Sequence, residues 1–351
     1  MRRGILRVTT VNFLCLLMLF YSGFKIFREE EKIPVKKENT ISQSTDKTTP
    51  QNPSFKTQSE TEKTENTSSP QNNTQENESS SVQVSAKAIK GNIISQYNSP
   101  YTASLSYDKV YVKNNSGEKL SIKSLLEGKI SFKIKKNSEP QVLIYHTHAT
   151  ESFKTDNQPY FTEDFSSRSR DNSKNMVSVG KIVAEKLNSA GIKTLHSDTL
   201  HDYPGYSQSY SRSAQTINYY LKKYPTIKVI IDFHRDAVSA SGGNKVKLVT
   251  QINGKAAAQV MIVQGCQSGS VTNFPNWKEN LKLATKFQQT IEKNYPTLAR
   301  PMLVVSKNYN QSLSKGAMLV EIGTDVNTLE EVHYSAELVG DSLVKTLNNL
   351  Q

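Results

Sequence analysis

The chain has 351 residues and a net charge of +12, with 44 Lys and Arg against 32 Asp and Glu, six histidines and two cysteines. This length admits one large domain or two small ones, but sharp shifts in composition exclude a chain that is globular throughout. Cys15 sits in an apolar N-terminal run and Cys266 far from it, which excludes an intradomain disulfide framework.

Arg2, Arg3 and Arg7 precede an uncharged run over 8–24, long enough by the rule of about 17–25 residues to cross a bilayer as a helix. The preceding basic residues favour a cytoplasmic N-terminus. No small-x-small cleavage site ends the run, and Phe24, Ile26 and Phe27 carry its apolar character past Gly23. The expectation is an uncleaved transmembrane anchor over 1–28, single-pass in the cell membrane, with the rest of the chain extracytoplasmic.

Residues 29–84 collapse into Ser, Thr, Asn, Gln, Glu and Lys. Such a segment buries too little apolar surface to offset its ordering entropy and reads as a disordered polar linker. Residues beyond Glu78 hold +11 of the +12, so the basic excess belongs to the folded part. For an exported domain that charge points to the anionic polymers of a cell wall and to membrane rather than to nucleic acid.

Residues 85–351 suffice for one large domain. Residues 105–136 read as a small β lead-in around the turn-like Asn-Asn-Ser-Gly. Beyond it VLIYH is a strand, NSKNMVSVGKIVAEKLNSAG an amphipathic helix closing on Gly191, and IKTLHS a strand. SYSRSAQTINYYLKKYP is a helix stopped by Pro225, KVIIDFH a strand, and KLVTQINGKAAAQVMIVQG a hairpin turning at Asn253-Gly254. A helix over 276–296, the strands PMLVVSK and AMLVEIG, and a C-terminal helix complete the pattern. The alternation predicts an α/β three-layer sandwich with a mostly parallel twisted sheet, the hairpin giving it a mixed edge.

Three polar clusters fall at equivalent ends of three apolar strands: YHTHATES, IIDFHRDA and AMLVEIGTD. Side chains alternate along an extended segment, so in the first His146 and His148 project to the same side, and in the second Asp232, His234 and Asp236 do likewise. Ligands of open α/β sheets bind outside the carboxyl ends of strands. Imidazoles and carboxylates from separate strands, without cysteine, suit a catalytic zinc site, in which bound water is activated and a nearby carboxylate takes its proton. Glu321, alone in an apolar strand, is costly to bury without a partner or a task. Tyr203, Tyr206 and Tyr210 with Arg212 form a polar-aromatic stretch suited to a saccharide or peptide groove. Arg235, Tyr210 and Arg212 are the candidate substrate-binding residues. His196, His201 and His333 lack polar neighbours in sequence and read as structural or surface residues; Cys266 reads as a passive buried thiol.

In this order, IYHTHATESF, NSKNMVSVGKIVAEKL, IIDFHRDA and MLVEIGTDVNT, after an anchor and a polar tether, resemble the stage II sporulation protein P family, a relative of zinc-dependent N-acetylmuramoyl-L-alanine amidases. The resemblance covers most of 95–351. It implies peptidoglycan hydrolysis during engulfment of the forespore, with a second cut in the peptide cross-links, and cooperation with stage II sporulation proteins D and M. Carried onto this chain it implies zinc held by His148 or His146 and by His234, with Glu321 as the catalytic base. The intervening carboxylate ligand departs from the amidase pattern: no glutamate opens the helix, leaving Asp171 or Glu151, and Glu151 is also the alternative base. A noncatalytic basic wall-binding scaffold and a phosphoesterase are the competing readings of the same residues.

Overall fold

Residues 88–350 are described by the computed structural model; the anchor and linker read over 1–84 lie outside the described residues. In chain order the elements are β1 (Ile89–Gln96), β2 (Leu105–Tyr107), β3 (Val110–Asn114), α1 (Ile122–Glu127), β4 (Val142–Tyr145), β5 (Tyr160–Thr162), α2 (Met176–Ser189), β6 (Thr194–His196), α3 (Ser209–Lys223) and β7 (Val229–Asp236). These are followed by β8 (Lys245–Ile252), β9 (Lys255–Ala258), β10 (Val260–Gly265), α4 (Trp277–Asn294), β11 (Met302–Val305), β12 (Gly316–Thr324) and α5 (Leu329–Asn348). Among the described residues, no helix is long and apolar enough to cross a membrane.

Local chemistry sets the helix starts. The Asn175 side chain accepts from Val177 N to cap α2. Thr328 and Glu331 cap α5 reciprocally, each side chain bonding the other's backbone N–H. Gly191, at φ 79°, supplies the left-handed residue just past α2.

The main sheet has eight strands in the order β2-β3-β11-β10-β12-β7-β4-β6. Five of its seven pairings are parallel, so the mixed α/β character and the mostly parallel sheet stand as expected. The reversal is not confined to an edge, however. β10 runs antiparallel to β12 in the middle of the sheet, and β2 antiparallel to β3 at one edge. The predicted hairpin forms, with Asn253 and Gly254 both at positive φ as its two-residue turn requires, but it is β8–β9 and belongs to a separate four-stranded sheet, β5-β1-β8-β9. Gln259 ends the hairpin and β10 enters the main sheet. Composition does not separate these two continuous β-type runs; only their long-range partners do.

The two faces of the main sheet are unequally covered. One carries the larger core: Val179, Val183 and Leu187 of α2, Leu281 and Phe287 of α4, and Val332, Val339 and Leu343 of α5 pack with Ile144, Ile231, Phe233, Val320 and Ile322. Each such side chain stabilises the fold by about 1.5–3 kcal/mol on burial. The opposite face carries a small cluster in which Ile217 of α3 meets Leu143, Tyr145, Ile230 and Ala317. The second helical layer of the sandwich is therefore a single helix and its flanking loops. Tyr145 brings the carboxyl end of β4 against α3, while β7 and β12 run on past this cluster to Asp236 and Thr324.

Candidate active site

Strand alternation assigns the polar residues to faces. Ile230 and Ala317 look toward α3, so Asp232 and His234 of β7 and Glu321 of β12 lie on that same face. Glu321 pairs in register with His234 across the parallel β7–β12 ladder, which makes the two side chains lateral neighbours. β4 stops at Tyr145 and the chain turns through 147–150. His148 is thereby rotated over to the α3 side, with its ring centroid 5.2 Å from that of His234 at 85°. The three sequence clusters do meet, at the carboxyl edge of three neighbouring strands.

Within this cluster His234 is buried between two carboxylates. Its Nε2 lies 3.0 Å from Asp232 Oδ2 and its Nδ1 3.5 Å from Glu151 Oε2. Asp232 is fixed in turn by Thr147, whose N–H donates to Oδ1 at 2.8 Å and whose hydroxyl donates to Oδ2 at 2.6 Å. Burial disfavours the charged imidazole, but Asp232 and Glu151 outweigh it and raise the His234 pKa well above its ordinary value. Burial likewise opposes ionisation of Glu151, yet the bond to His234 and the charges of Arg235 and His148 hold its carboxyl well below the usual range. Arg235 N also donates to Glu151 Oε2 at 3.2 Å. The wall is aromatic: Tyr206 stacks on His148 at 4.4 Å and 9°, and Tyr210 meets it edge-on at 5.6 Å.

Other predicted residues lie elsewhere. His146 does not share a side with His148, because the strand ends between them. It turns toward α2, where its Nε2 is 2.9 Å from His196 Nε2 and its Nδ1 3.2 Å from Phe233 O. Burial, then the neighbouring His196, push its pKa well down. Gly180 makes room for the pair, since a Cβ there would come within 2.5 Å of both Nε2 atoms. Asp171 is an exposed loop residue whose carboxylate accepts from Ser173 N and Oγ and pairs with Lys174 at 3.1 Å. Glu151 is the carboxylate that the fold brings to the histidines.

Arg235 and Arg212 serve the scaffold rather than an open surface. The Arg235 guanidinium donates to Ser152 O, Asp236 O and Ser167 O, and Arg212 donates to His201 O and Gly205 O. Tyr210 stays at the site as a wall. His201 and His333 are structural, but not without polar company: His201 bonds His146 O and Thr216 Oγ1, and His333 bonds Ser178 Oγ. Cys266 is buried, 3.1 Å from Ser268 Oγ. Sequence reasoning missed Thr147, Asp202 and Arg168; a Thr or Arg in a polar loop carries no periodicity to mark it.

Among the described residues no three His, Cys, Asp or Glu side chains are already drawn together as a metal centre. The donor chemistry nevertheless fits one. Two tetrahedral ligand atoms at about 2.0–2.1 Å from zinc lie about 3.3 Å apart, close to the 3.5 Å between His234 Nδ1 and Glu151 Oε2. The Asp232 carboxylate, 3.0 Å from Nε2, favours a proton on that nitrogen and leaves Nδ1 as the donor atom on the Glu151 side, in the manner of a carboxylate behind a ligand histidine. Two buried carboxylates around one imidazole call for positive charge, which a proton on His234 supplies in the metal-free protein and a divalent cation can replace.

The model of the family described as "Stage II sporulation protein P (SpoIIP)" matches residues 17–344. The chain belongs to this family. The resemblance carried by YHTHATES, IIDFHRDA and MLVEIGTD is thereby borne out. Stage II sporulation protein P of Bacillus subtilis (strain 168) is 32% identical over 217 residues, 57% of this chain and 49% of that protein. The chain thus spans about half the length of that curated relative. Among solved structures, the CwlD amidase from Clostridioides difficile in complex with the GerS lipoprotein superposes with a TM-score of 0.38 at 9% identity, over 60% of this chain and 98% of the other. N-acetylmuramoyl-L-alanine amidase AmiC2 of Nostoc punctiforme gives 0.35 at 12%, over 62% and 97%.

Proposed function

We propose that this member of the stage II sporulation protein P family is a membrane-anchored, zinc-dependent cell-wall hydrolase that cleaves the amide between the muramic acid lactyl group and L-alanine of peptidoglycan. The observation that carries the reading is the convergence of His148, His234, Glu151 and Glu321, from the adjacent parallel strands β7 and β12 and the turn after β4, on one face of the sheet. His148, His234 and Glu151 would hold the metal. A zinc ion there would supply Lewis-acid polarisation of the carbonyl and a water nucleophile at neutral pH.

Glu321 is the third carboxylate on this face, beside His234 in register. It takes a proton from the attacking water at a carboxylate oxygen and delivers it to the amide nitrogen as the C–N bond breaks, so one water is consumed and a carboxylic acid and an amine are released. Asp232, 3.0 Å from Nε2, favours a proton on that nitrogen of His234, while Tyr206 and Tyr210 shield the His148 ring from solvent. The family membership supports a sporulation setting, in which the domain acts outside the cytoplasm and works with stage II sporulation proteins D and M.

Mass spectrometry of purified sacculi digested by the full chain tests this directly. Release of stem peptides with a free L-Ala amino group, abolished by a chelator and restored by zinc, is the expected result. New termini within the cross-links would add endopeptidase activity. Binding of sacculi with no new termini would favour the scaffold reading instead.

A further inference from the structure

Two contacts converge on one arginine that touches neither reactive group. Arg168 donates from Nη1 to Asp202 Oδ2 at 2.6 Å and to Thr150 Oγ1 at 3.0 Å. Its Cζ stands 4.8 Å from the centroid of the Tyr206 ring, and that ring is stacked on His148. In the backbone, Arg168 bridges antiparallel to Glu151, with Ser169 N donating to Thr150 O and Ser152 N to Ser167 O.

Asp202 explains why this is more than a surface ion pair. Its side chain is fully buried and accepts from Thr150 N and Oγ1, so it locks the 201–206 loop to the turn that carries His148 and Glu151. Arg168 supplies the opposite charge, and a buried carboxylate deprived of its cation is costly. Tyr206 is 49% exposed, so packing alone does not hold its ring against His148. A planar guanidinium can stack on an aromatic ring while donating in its own plane, which a lysine cannot do.

We propose that Arg168 is a positioning residue that sets the His148 ring for metal binding by holding Tyr206 against it and by neutralising Asp202. This rests on the metal-site reading above. Partners behind metal ligands are worth about 10–100-fold in metal affinity, and a loss of that size is expected for Arg168→Ala.

The test is zinc affinity of the purified full chain, measured by competition with a chromophoric chelator, together with the visible spectrum of the Co2+-loaded protein, which reports ligand geometry rather than folding. Arg168→Ala and Tyr206→Leu should weaken zinc by similar factors and shift the cobalt bands alike, with the double variant little worse than either, because they act in one chain of contacts. Arg168→Lys should recover folding stability but only part of the affinity, and Tyr206→Phe should match wild type. Wild-type zinc affinity in Arg168→Ala, or in Arg168→Lys and Tyr206→Leu should the alanine variant fail to fold, overturns the inference while leaving the metal site standing. A wild-type chain that takes up no zinc overturns both.

Discussion

On one face of the sheet His146 meets His196, Nε2 to Nε2 at 2.9 Å, under the Gly180 turn of α2; on the other, His148 meets His234 with ring centroids 5.2 Å apart, under the loops around α3. His146 and His148 are separated by a single residue, yet their surroundings pull the two pairs in opposite directions. On the α2 face each imidazole has an imidazole partner and apolar packing. Burial pushes His146 well down and His196 down to about 4, and the pair stays neutral. On the α3 face two buried carboxylates raise His234 and favour positive charge. Histidine content therefore does not mark the proposed metal site. The carboxylates beside it do, and the turn that ends β4 decides which histidine meets them.

The most severe way to break this contrast is to remove a histidine from each face. His234→Ala should lose zinc and hydrolysis together, because an open site short of one ligand binds weakly, and metal analysis alongside sacculus digestion reads both. His196→Gln, on the other face, should keep its zinc and its turnover. Loss of metal in the second variant would show that the faces are not independent.

Next in size is Glu321→Gln, which keeps the shape of the side chain and removes its proton acceptor. Zinc content should be unchanged while turnover falls by about 10²- to 10⁴-fold. Loss of zinc instead would make Glu321 a ligand, and unchanged turnover would move the base to Glu151.

Much of the candidate site is legible in the sequence. The apolar runs ending in YHTH, DFHRD and EIGTD mark three strand ends, and the carboxyl-end rule for parallel sheets places them together. What the sequence withheld has a common physical origin in contacts between distant segments. The extended-strand rule put His146 with His148, but the chain turns after Tyr145, and nothing local announces that. Glu151 could not be chosen over Asp171 from spacing, because its place is set by Arg235 N, 84 residues away. The antiparallel entry of β10 beside β12 is likewise decided by pairing, since the apolar run Val260–Val263 reads like that of a parallel strand and β10 is in fact parallel to β11 on its other side.

A smaller effect is expected on the silent face from Gly180→Ala. The added methyl would meet both imidazoles at 2.5 Å, and His146 has little room to withdraw while bonded to Phe233 O. Overpacking of this kind costs about 1–3 kcal/mol, partly offset by a gain of about 1 kcal/mol in helix propensity. Chemical denaturation should show a net loss of up to about 2 kcal/mol, with zinc affinity of the folded protein unchanged. A stabilised variant would mean that the pair is loosely packed.

The finest test of the contrast is its pH dependence. A histidine held neutral in the folded chain with a pKa of about 4, against an ordinary value near 6.5, is protonated first in the unfolded chain as pH falls. Its contribution to stability is therefore intact above about pH 6.5 and is lost progressively down to about pH 4. His234, with its pKa raised, has the opposite sign: its contribution is present at low pH and fades as pH rises through the folded-state value. Total stability mixes the two, so the informative quantity is the difference between the wild-type chain and His196→Gln, both stripped of metal, in denaturation midpoints from pH 7 to pH 5. The wild type should lose roughly 1 kcal/mol more than the variant across that window, allowing for the partial exposure of His196. Parallel curves would mean that the His146–His196 pair accepts a proton without strain, and the neutral character assigned to the α2 face would then be wrong.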